Sequence, residues 1–536
     1  MYKRMLAVFI SIVIIMTTCS FRLMYLTSGS DVQAANNGSG YKLEISRGRG
    51  TIYDCNLAPI TNDSIEYVAL VPPTPQAIME ISEQLDAETA QNVLERLKSG
   101  NPVTTVVSSG FLSEGCTVIK TFKRYSSTQP AVHIIGYVSS DNTGTAGIEK
   151  AYEDILSRTS PLTATYRTDA KGNILSGTEP EIDYSGYNLS AGVALTIDKG
   201  LQEAVELAAS RYLNAGAVVV LDISTGKIRA MCSLPEFDQY NVAQSLEDKS
   251  SPLINRALLN YNVGSVYKLV VAAAVQVFPL RKQTKNAPMP ETMFSCSGSY
   301  TVGNKTFHCL GEHGAINMET ALEVSCNIYF IQLARSFAPE SILGMSRSAG
   351  FERSMYLCPG ISSDAGLLPS LEVLNTQPAA LANLSFGQGD LMLTPLHMAG
   401  FISAIASGGY YREPSLIEGL VDDKGNLYNA SATPAPAKIL SSSTARTLSE
   451  FMINTVESGT GTAAKPEKGG AGGKTATAET GWIKDGREVY QTWFTGFFPA
   501  QNPQYAVAVL AEDGASGSRT SAPVFKLIAD YVSSRQ

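Results

Sequence analysis

The chain is expected to be an α+β protein built on an antiparallel sheet, and three observations carry that expectation. Gly216-Ala217-Val218-Val219-Val220-Leu221-Asp222 is a β-branched run that reads as a buried strand, which Ser224-Thr225-Gly226 turns into Lys227-Ile228-Arg229-Ala230-Met231 as a hairpin. Further strand-like runs stand near the C-terminus, at 474–478, 492–499 and 505–510. Between the two groups lies a helical middle that contains the unbroken apolar run 269–275. Strands at both ends of a helical stretch place helices on an antiparallel sheet.

With 536 residues, 44% hydrophobic and 17% charged, the chain has the composition of a globular protein of two or three domains. Its net charge of -8, with no basic stripe, argues against a nucleic-acid partner. The eight cysteines, at 19, 55, 116, 232, 296, 309, 326 and 358, are scattered, so no small disulfide scaffold is implied.

At the N-terminus Lys3 and Arg4 precede an apolar run, 5–18, that continues through Cys19, Ser20 and Phe21 to Arg22. Roughly 17 residues is at the short end for a membrane-spanning helix. The leading positive charges place the start in the cytoplasm and the rest outside. Residues 1–27 therefore read as a cytoplasmic start and signal anchor. A cleaved signal peptide is the rival, with Val32-Gln33-Ala34 as its small-residue site, but that site lies far beyond the apolar run. Residues 28–40, rich in Ser, Gly and Asn, read as a flexible lead-out. Positions Ile78, Ile81, Leu85, Leu94 and Leu97 recur in threes and fours, as in a helix with solvated faces. His133, in an apolar run, reads as a satisfied core histidine. Alternating Leu189, Val193, Leu195 and Ile197 make a strand, 201–213 a helix, Thr394-Pro395 the start of another, and 522–532 the last.

The stretch that organises the rest is Tyr261-Asn262-Val263-Gly264-Ser265-Val266-Tyr267-Lys268, running into the apolar segment. A glycine before the serine reads as a turn that opens a buried helix. Residues three apart share a helix face, so the Lys268 amine can reach the Ser265 hydroxyl. To act as a base the lysine must be neutral, with a pKa well below the free value of about 10.4, and burial and a second cation nearby would both push it down. Ser-x-x-Lys alone recurs by chance. Ser325-Cys326-Asn327 and Gly473-Lys474-Thr475-Ala476-Thr477 follow it in order.

Ser-x-x-Lys, Ser-x-Asn and Lys-Thr-Gly in this order are the marks of penicillin-binding proteins and serine β-lactamases. Arg47-Gly48-Arg49-Gly50-Thr51-Ile52-Tyr53-Asp54 and Gly144-Thr145-Ala146-Gly147-Ile148-Glu149 resemble the start and the linker of the non-catalytic domain in class B penicillin-binding proteins. The chain thus resembles a monofunctional peptidoglycan D,D-transpeptidase over nearly its whole length. The resemblance implies a non-catalytic domain and linker over 41–188 and a penicillin-binding/β-lactamase-like transpeptidase domain over 189–536.

The same resemblance implies the roles. Ser265 would attack the penultimate D-Ala carbonyl of a stem peptide, Lys268 would take its proton, and Ser325 would relay a proton to the leaving amine. Asn327 would hold the substrate amide and Lys268. Lys474 would lower the Lys268 pKa by like charge and, with Thr475 and Thr477, hold the substrate carboxylate. The N–H groups of Ser265 and Thr477 would form the oxyanion hole. No cofactor is required. The implied partners are stem peptides, β-lactams and a polytopic membrane glycosyltransferase, outside a cell membrane crossed once. A serine β-lactamase would normally lack the 47–150 region, and a penicillin sensor would carry a cytoplasmic signalling part.

One residue departs from the pattern: Ala476 stands where the third position is usually Gly, and its methyl is expected to crowd the substrate strand. A catalytically weakened scaffold protein is the alternative it raises. Lastly, Gly303-Asn304 reads as a hairpin turn that puts Cys296 and Cys309 on one face of a ribbon, with His313 and Cys326 near. Three states stay open for these four: a zinc site, a Cys296 to Cys309 disulfide, and free thiols.

Overall fold

A computed structural model describes residues 2–28, 40–169, 171–175, 177–277, 290–484 and 486–535. Most of the expected lead-out, 29–39, lies outside the described residues. The N-terminal helix spans Tyr2–Ser28. Among the described residues no helix is long and apolar enough to cross a membrane.

Two compact units interleave in sequence. The first comprises Met1–Arg49, Ser64–Lys123 and Thr159–Asn188. In it, strand Ser64–Val71 is flanked by Val103–Val107 and Thr117–Lys123, and Gly40–Ser46, Leu162–Arg167 and Glu181–Asp183 form another sheet. The run expected as one helix over 78–97 is two, Pro75–Gln84 and Ala87–Leu97. Asp86 makes the break, because its carboxylate accepts from the Thr89 N–H and starts a second helix.

The second unit is Gly50–Asp63, Arg124–Arg158 and Leu189–Gln536. Sequence alone draws one block over 41–188; the structure hands two pieces of it to this unit, for two reasons. Thr51–Tyr53 pairs in parallel with the strand Gly192–Leu195. Glu149, with no exposed side chain, binds the Arg124 guanidinium at 2.7 Å and accepts from the Tyr125 hydroxyl at 2.9 Å, while Arg124 Nη1 donates to the Gly50 carbonyl at 2.6 Å. The motifs around Gly50 and Glu149 are therefore one buried ion-pair joint.

The rest of this unit is the expected α+β layering. Helix α1 (Lys199–Ser210) is followed by β1 (Gly216–Asp222) and β2 (Ile228–Leu234), then by α2 (Lys268–Val277). Four short strands come next: β3 (Phe294–Cys296), β4 (Ser299–Val302), β5 (Lys305–His308) and β6 (Gly314–Ile316). Helices α3 (Asn327–Arg335), α4 (Pro395–Ala406) and α5 (Ser442–Glu457) lead to β7 (Gly472–Lys484), β8 (Arg487–Phe498), β9 (Tyr505–Ala511) and α6 (Ala522–Arg535).

The large sheet runs β2-β1-β9-β8-β7, antiparallel throughout, so β7 is an edge. Alternation sorts its side chains between two cores. Val219, Leu221, Ala508 and Trp493 pack on one side with α2 and α4; Val218, Val220, Val509 and Phe494 pack on the other with Val205 and Phe525 of α1 and α6. Covered on both faces, the strands read as continuous apolar runs. His133 is partly buried and has a partner, with Nε2 at 2.7 Å from the Pro252 carbonyl, in keeping with a satisfied core histidine.

Candidate active site

The segment before Ser265 is tied to the sheet before any chemistry is considered. Asn262 donates its N–H to Gln491 Oε1 at 2.6 Å, and its carbonyl accepts from Trp493 Nε1 at 2.8 Å. Gly264 then takes φ +63°, a left-handed conformation that favours glycine. Its N–H donates to the Gly387 carbonyl at 2.9 Å; a Cβ at Gly387 would lie 1.9 Å from the Gly264 carbonyl oxygen. Gly264–Tyr267 is a 3-10 turn, not the first α-helical turn, and α2 begins at Lys268. Residues three apart eclipse on a 3-10 helix, so Ser265 and Lys268 still share one face of the chain.

Lys268 has no exposed surface. Its Nζ donates to the Ser325 carbonyl at 2.7 Å, Asn327 Oδ1 at 2.7 Å and Ser325 Oγ at 3.2 Å. Lys474, equally buried, donates to the same Ser325 Oγ at 2.9 Å and to the Thr475 carbonyl at 3.1 Å. Two amines thus share one hydroxyl. Ser325 itself sits at φ +56°, rare for a residue with a Cβ and a frequent mark of functional sites. Cys326 has no exposed surface and caps α3, its sulfur accepting from the Tyr329 N–H at 3.3 Å.

Burial pushes the Lys268 pKa down to about 7, while the nearby Cys326 and Cys309 thiols pull it back up. Lys474 is also held well below the ordinary lysine range, by burial first and by the charge of Lys268 second. Of the two causes expected, burial and a second cation, burial is the one that lowers Lys268 most.

Ser265 is half-buried and stands apart from that network: among the described residues, no hydrogen bond joins its Oγ to Lys268. On the edge strand, Thr475 is buried and donates to Thr460 Oγ1 at 3.1 Å, whereas Thr477 is exposed and accepts from the Gly517 N–H at 3.3 Å. Ala476 is only 3% exposed. Its methyl packs beside Gly264, where an added Cβ would come within 3.2 Å of it. The methyl expected to crowd a substrate lies in the core contact between β7 and the serine turn.

Sequence reasoning missed Thr460, Gln491 and the seat of Gly264 on Gly387. The glycine pair Gly387 and Gly389 was visible, but nothing local says which backbone a glycine must approach.

An edge strand bearing Lys474, laid against a turn bearing Ser265 and Lys268 with Ser325 between the lysines, is the arrangement of the serine penicillin-recognising class. A sequence profile of the penicillin binding protein transpeptidase domain matches residues 216–530, and the chain belongs to that family. It is 27% identical over 422 residues to the peptidoglycan D,D-transpeptidase PbpA of Mycolicibacterium smegmatis, covering 75% of this chain and 82% of that one. To the stage V sporulation protein D of Bacillus subtilis it is 26% identical over 550 residues, covering 95% and 82%. The crystal structure of penicillin binding protein 3 from Mycobacterium tuberculosis shares the fold, with a TM-score of 0.65, 23% identity and coverage of 92% and 97%.

Two outcomes are expected of this geometry. Ala476→Gly should cost about 1–2 kcal/mol, from the lost buried methyl and the added backbone freedom, and leave the rate of β-lactam acylation near that of the parent. Calorimetry and stopped-flow with a chromogenic cephalosporin measure the two; a large acceleration would put the methyl in the substrate's path. Separately, Lys268 is useful as a base only when neutral. With its pKa at about 7, the acylation rate should rise with pH through neutrality and level off above it, falling about tenfold per unit on the acid side. A profile flat through neutrality would remove Lys268 as the base.

Proposed function

We propose that the protein is a peptidoglycan D,D-transpeptidase that cross-links stem peptides through an acyl-enzyme on Ser265 and is acylated there by β-lactams. One observation supports this most: the pair of buried amines around Ser325 Oγ, beside the turn that carries Ser265. The names of its relatives agree with it.

In this reading Lys268 rests as the ammonium, with three oxygens around its Nζ to accept its three protons. Loss of a proton frees a lone pair, and its longest bond, to Ser325 Oγ, is the one that gives way. The neutral amine then takes the Ser265 proton as Oγ attacks the penultimate D-Ala carbonyl. The tetrahedral oxyanion falls to the N–H groups of Ser265 and Thr477, a kind of donor worth about 2.7–4 kcal/mol each. Ser325, accepting from Lys474, passes its hydroxyl proton to the departing D-Ala amine and takes in its place the one that Lys268 received from Ser265. The acceptor amine of a second stem peptide reverses the sequence. Being an edge strand, β7 offers unpaired backbone groups along which a peptide can lie, with Lys474, Thr475 and Thr477 toward its carboxylate.

The same reading puts the enzyme outside the membrane, held by the N-terminal helix and supplied with glycan strands by a polytopic glycosyltransferase. As helix, residues 5–21 cover about 26 Å, short of a hydrocarbon core of about 30 Å by an amount that flanking cations and local thinning accommodate. Lys3, Arg4 and Arg22 are the flanking cations.

Intact-mass analysis after penicillin treatment should show a single adduct that is lost in Ser265→Ala; an adduct that persists in the variant ends the assignment. For the anchor, alkaline extraction of membranes should leave the full chain in the pellet and release a chain lacking 1–28. Release of the full chain would show that the helix lies on the membrane rather than in it.

A further inference from the structure

Four side chains that acyl transfer does not use meet next to the Ser325–Asn327 loop. They arrive from three places. Cys296 ends β3, His313 precedes β6, Cys309 follows β5, and Cys326 caps α3. The two ribbons are in register, with Val302 opposite Lys305 across Gly303-Asn304 and Cys296 opposite Gly314. Backbone bonds hold the ends: the Cys309 N–H donates to the Gly298 carbonyl at 2.9 Å and the His313 N–H to the Cys296 carbonyl at 3.1 Å.

The ligand atoms lie within 4.8 Å of one another. Cys296 Sγ and Cys309 Sγ are 3.5 and 3.6 Å from His313 Nδ1, and Cys309 Sγ is 3.7 Å from Cys326 Sγ. A tetrahedral centre with Zn–S of about 2.3 Å and Zn–N of about 2.05 Å requires S to S edges of about 3.7 Å and S to N edges of about 3.6 Å. All three measured edges match. A disulfide needs about 2.05 Å between sulfurs, and any one pairing would leave the third thiol and the imidazole without a purpose. The two innermost ligands, Cys296 and Cys326, are 1% and 0% exposed.

We propose that Cys296, Cys309, His313 and Cys326 bind one structural Zn2+ that braces the Ser325–Asn327 loop to the β3–β6 ribbons. Three thiols give up their protons to solvent and the neutral imidazole binds through Nδ1, so the closed four-ligand centre carries one net negative charge and keeps no open position for catalysis. The brace acts through Cys326, whose two neighbours are the Lys268 acceptors. Asn327 is tied to the same ribbon directly, its Nδ2 donating to the His308 carbonyl at 3.2 Å. Without the metal, the left-handed Ser325 would have only backbone bonds and the two lysines to hold it.

The test is a metal and thiol count on the full chain purified without chelator. One equivalent of zinc is expected, together with eight cysteines that all alkylate once the protein is denatured with chelator. Exchange for Co2+ should produce thiolate-to-metal absorption. Cys309→Ser and His313→Ala should drop the zinc well below one equivalent. Should either fail to fold, His313→Cys keeps four ligands and should retain the metal with an altered cobalt spectrum. Zinc well below one equivalent in the parent, a reducible Cys296 to Cys309 peptide, or zinc that survives Cys309→Ser each overturn the site. The bracing role is read separately. Stripping the metal should slow penicillin acylation several-fold and re-addition of zinc should restore it; an unchanged rate rejects the brace. The metal count holds whether or not Ser265 is the nucleophile, so failure of the site and failure of the functional reading are distinguishable.

Discussion

Two lysine amines, both without solvent, meet on one serine hydroxyl, and the architecture of the site follows from that. A buried ammonium without a carboxylate partner is costly, and the usual response is a fall in pKa until the neutral form is accessible. Here the hydrogen-bond acceptors of Lys268 are a backbone carbonyl, a hydroxyl and an amide oxygen, none of them charged. Such a shell holds an ammonium without fixing it. It is suited to a group that must lose and regain a proton in each turnover, where an aspartate would trap the charge.

That shell has to be assembled from distant parts of the chain, and each part is immobilised by a different means. Lys268 is carried by a helix whose neighbouring residues, from Leu269 to Ala274, are wholly buried, so its stem is fixed by packing. Lys474 is delivered by a strand whose preceding glycines fit under aromatic rings: a Cβ on Gly473 would be 2.2 Å from the Phe494 ring, and one on Gly472 2.4 Å from that of Phe497. Ser325 supplies carbonyl and hydroxyl together from a left-handed backbone, a conformation that the following helix cap and the Cys326 cluster hold from the other side.

Much of this was legible in the sequence because it is written in local patterns. The hairpin β1–β2, the three C-terminal strands, the turn at Gly303-Asn304 and the meeting of Lys268, Ser325, Asn327 and Lys474 follow from periodicity, turn residues and motif order. What sequence could not supply is non-local. The exchange of Gly50–Asp63 and Arg124–Arg158 into the second unit depends on the buried Arg124 to Glu149 pair, whose partners are 25 residues apart. The seat of Gly264 on Gly387 and the link from Thr475 to Thr460 are tertiary meetings with no periodicity. The break at Asp86 was local, yet a helix-compatible spacing of apolar residues on both sides hid it.

The alanine at 476 shows why a motif letter should be read in three dimensions. Along β7 the side chains of Lys474, Ala476 and Ala478 are buried, whereas Thr477 and Glu479 are exposed. The residue at 476 therefore faces the same way as the amine, toward the serine turn. What limits its size is Gly264, whose missing Cβ would stand 3.2 Å from the methyl and 3.1 Å from that of Ala478. Gly264 is in turn required to be glycine by its φ of +63°. A glycine on the turn thus leaves room for the two strand methyls, and turn and strand stay in contact there. Ala476 is part of that packing, and the amine of Lys474 on the same strand is still in place at Ser325.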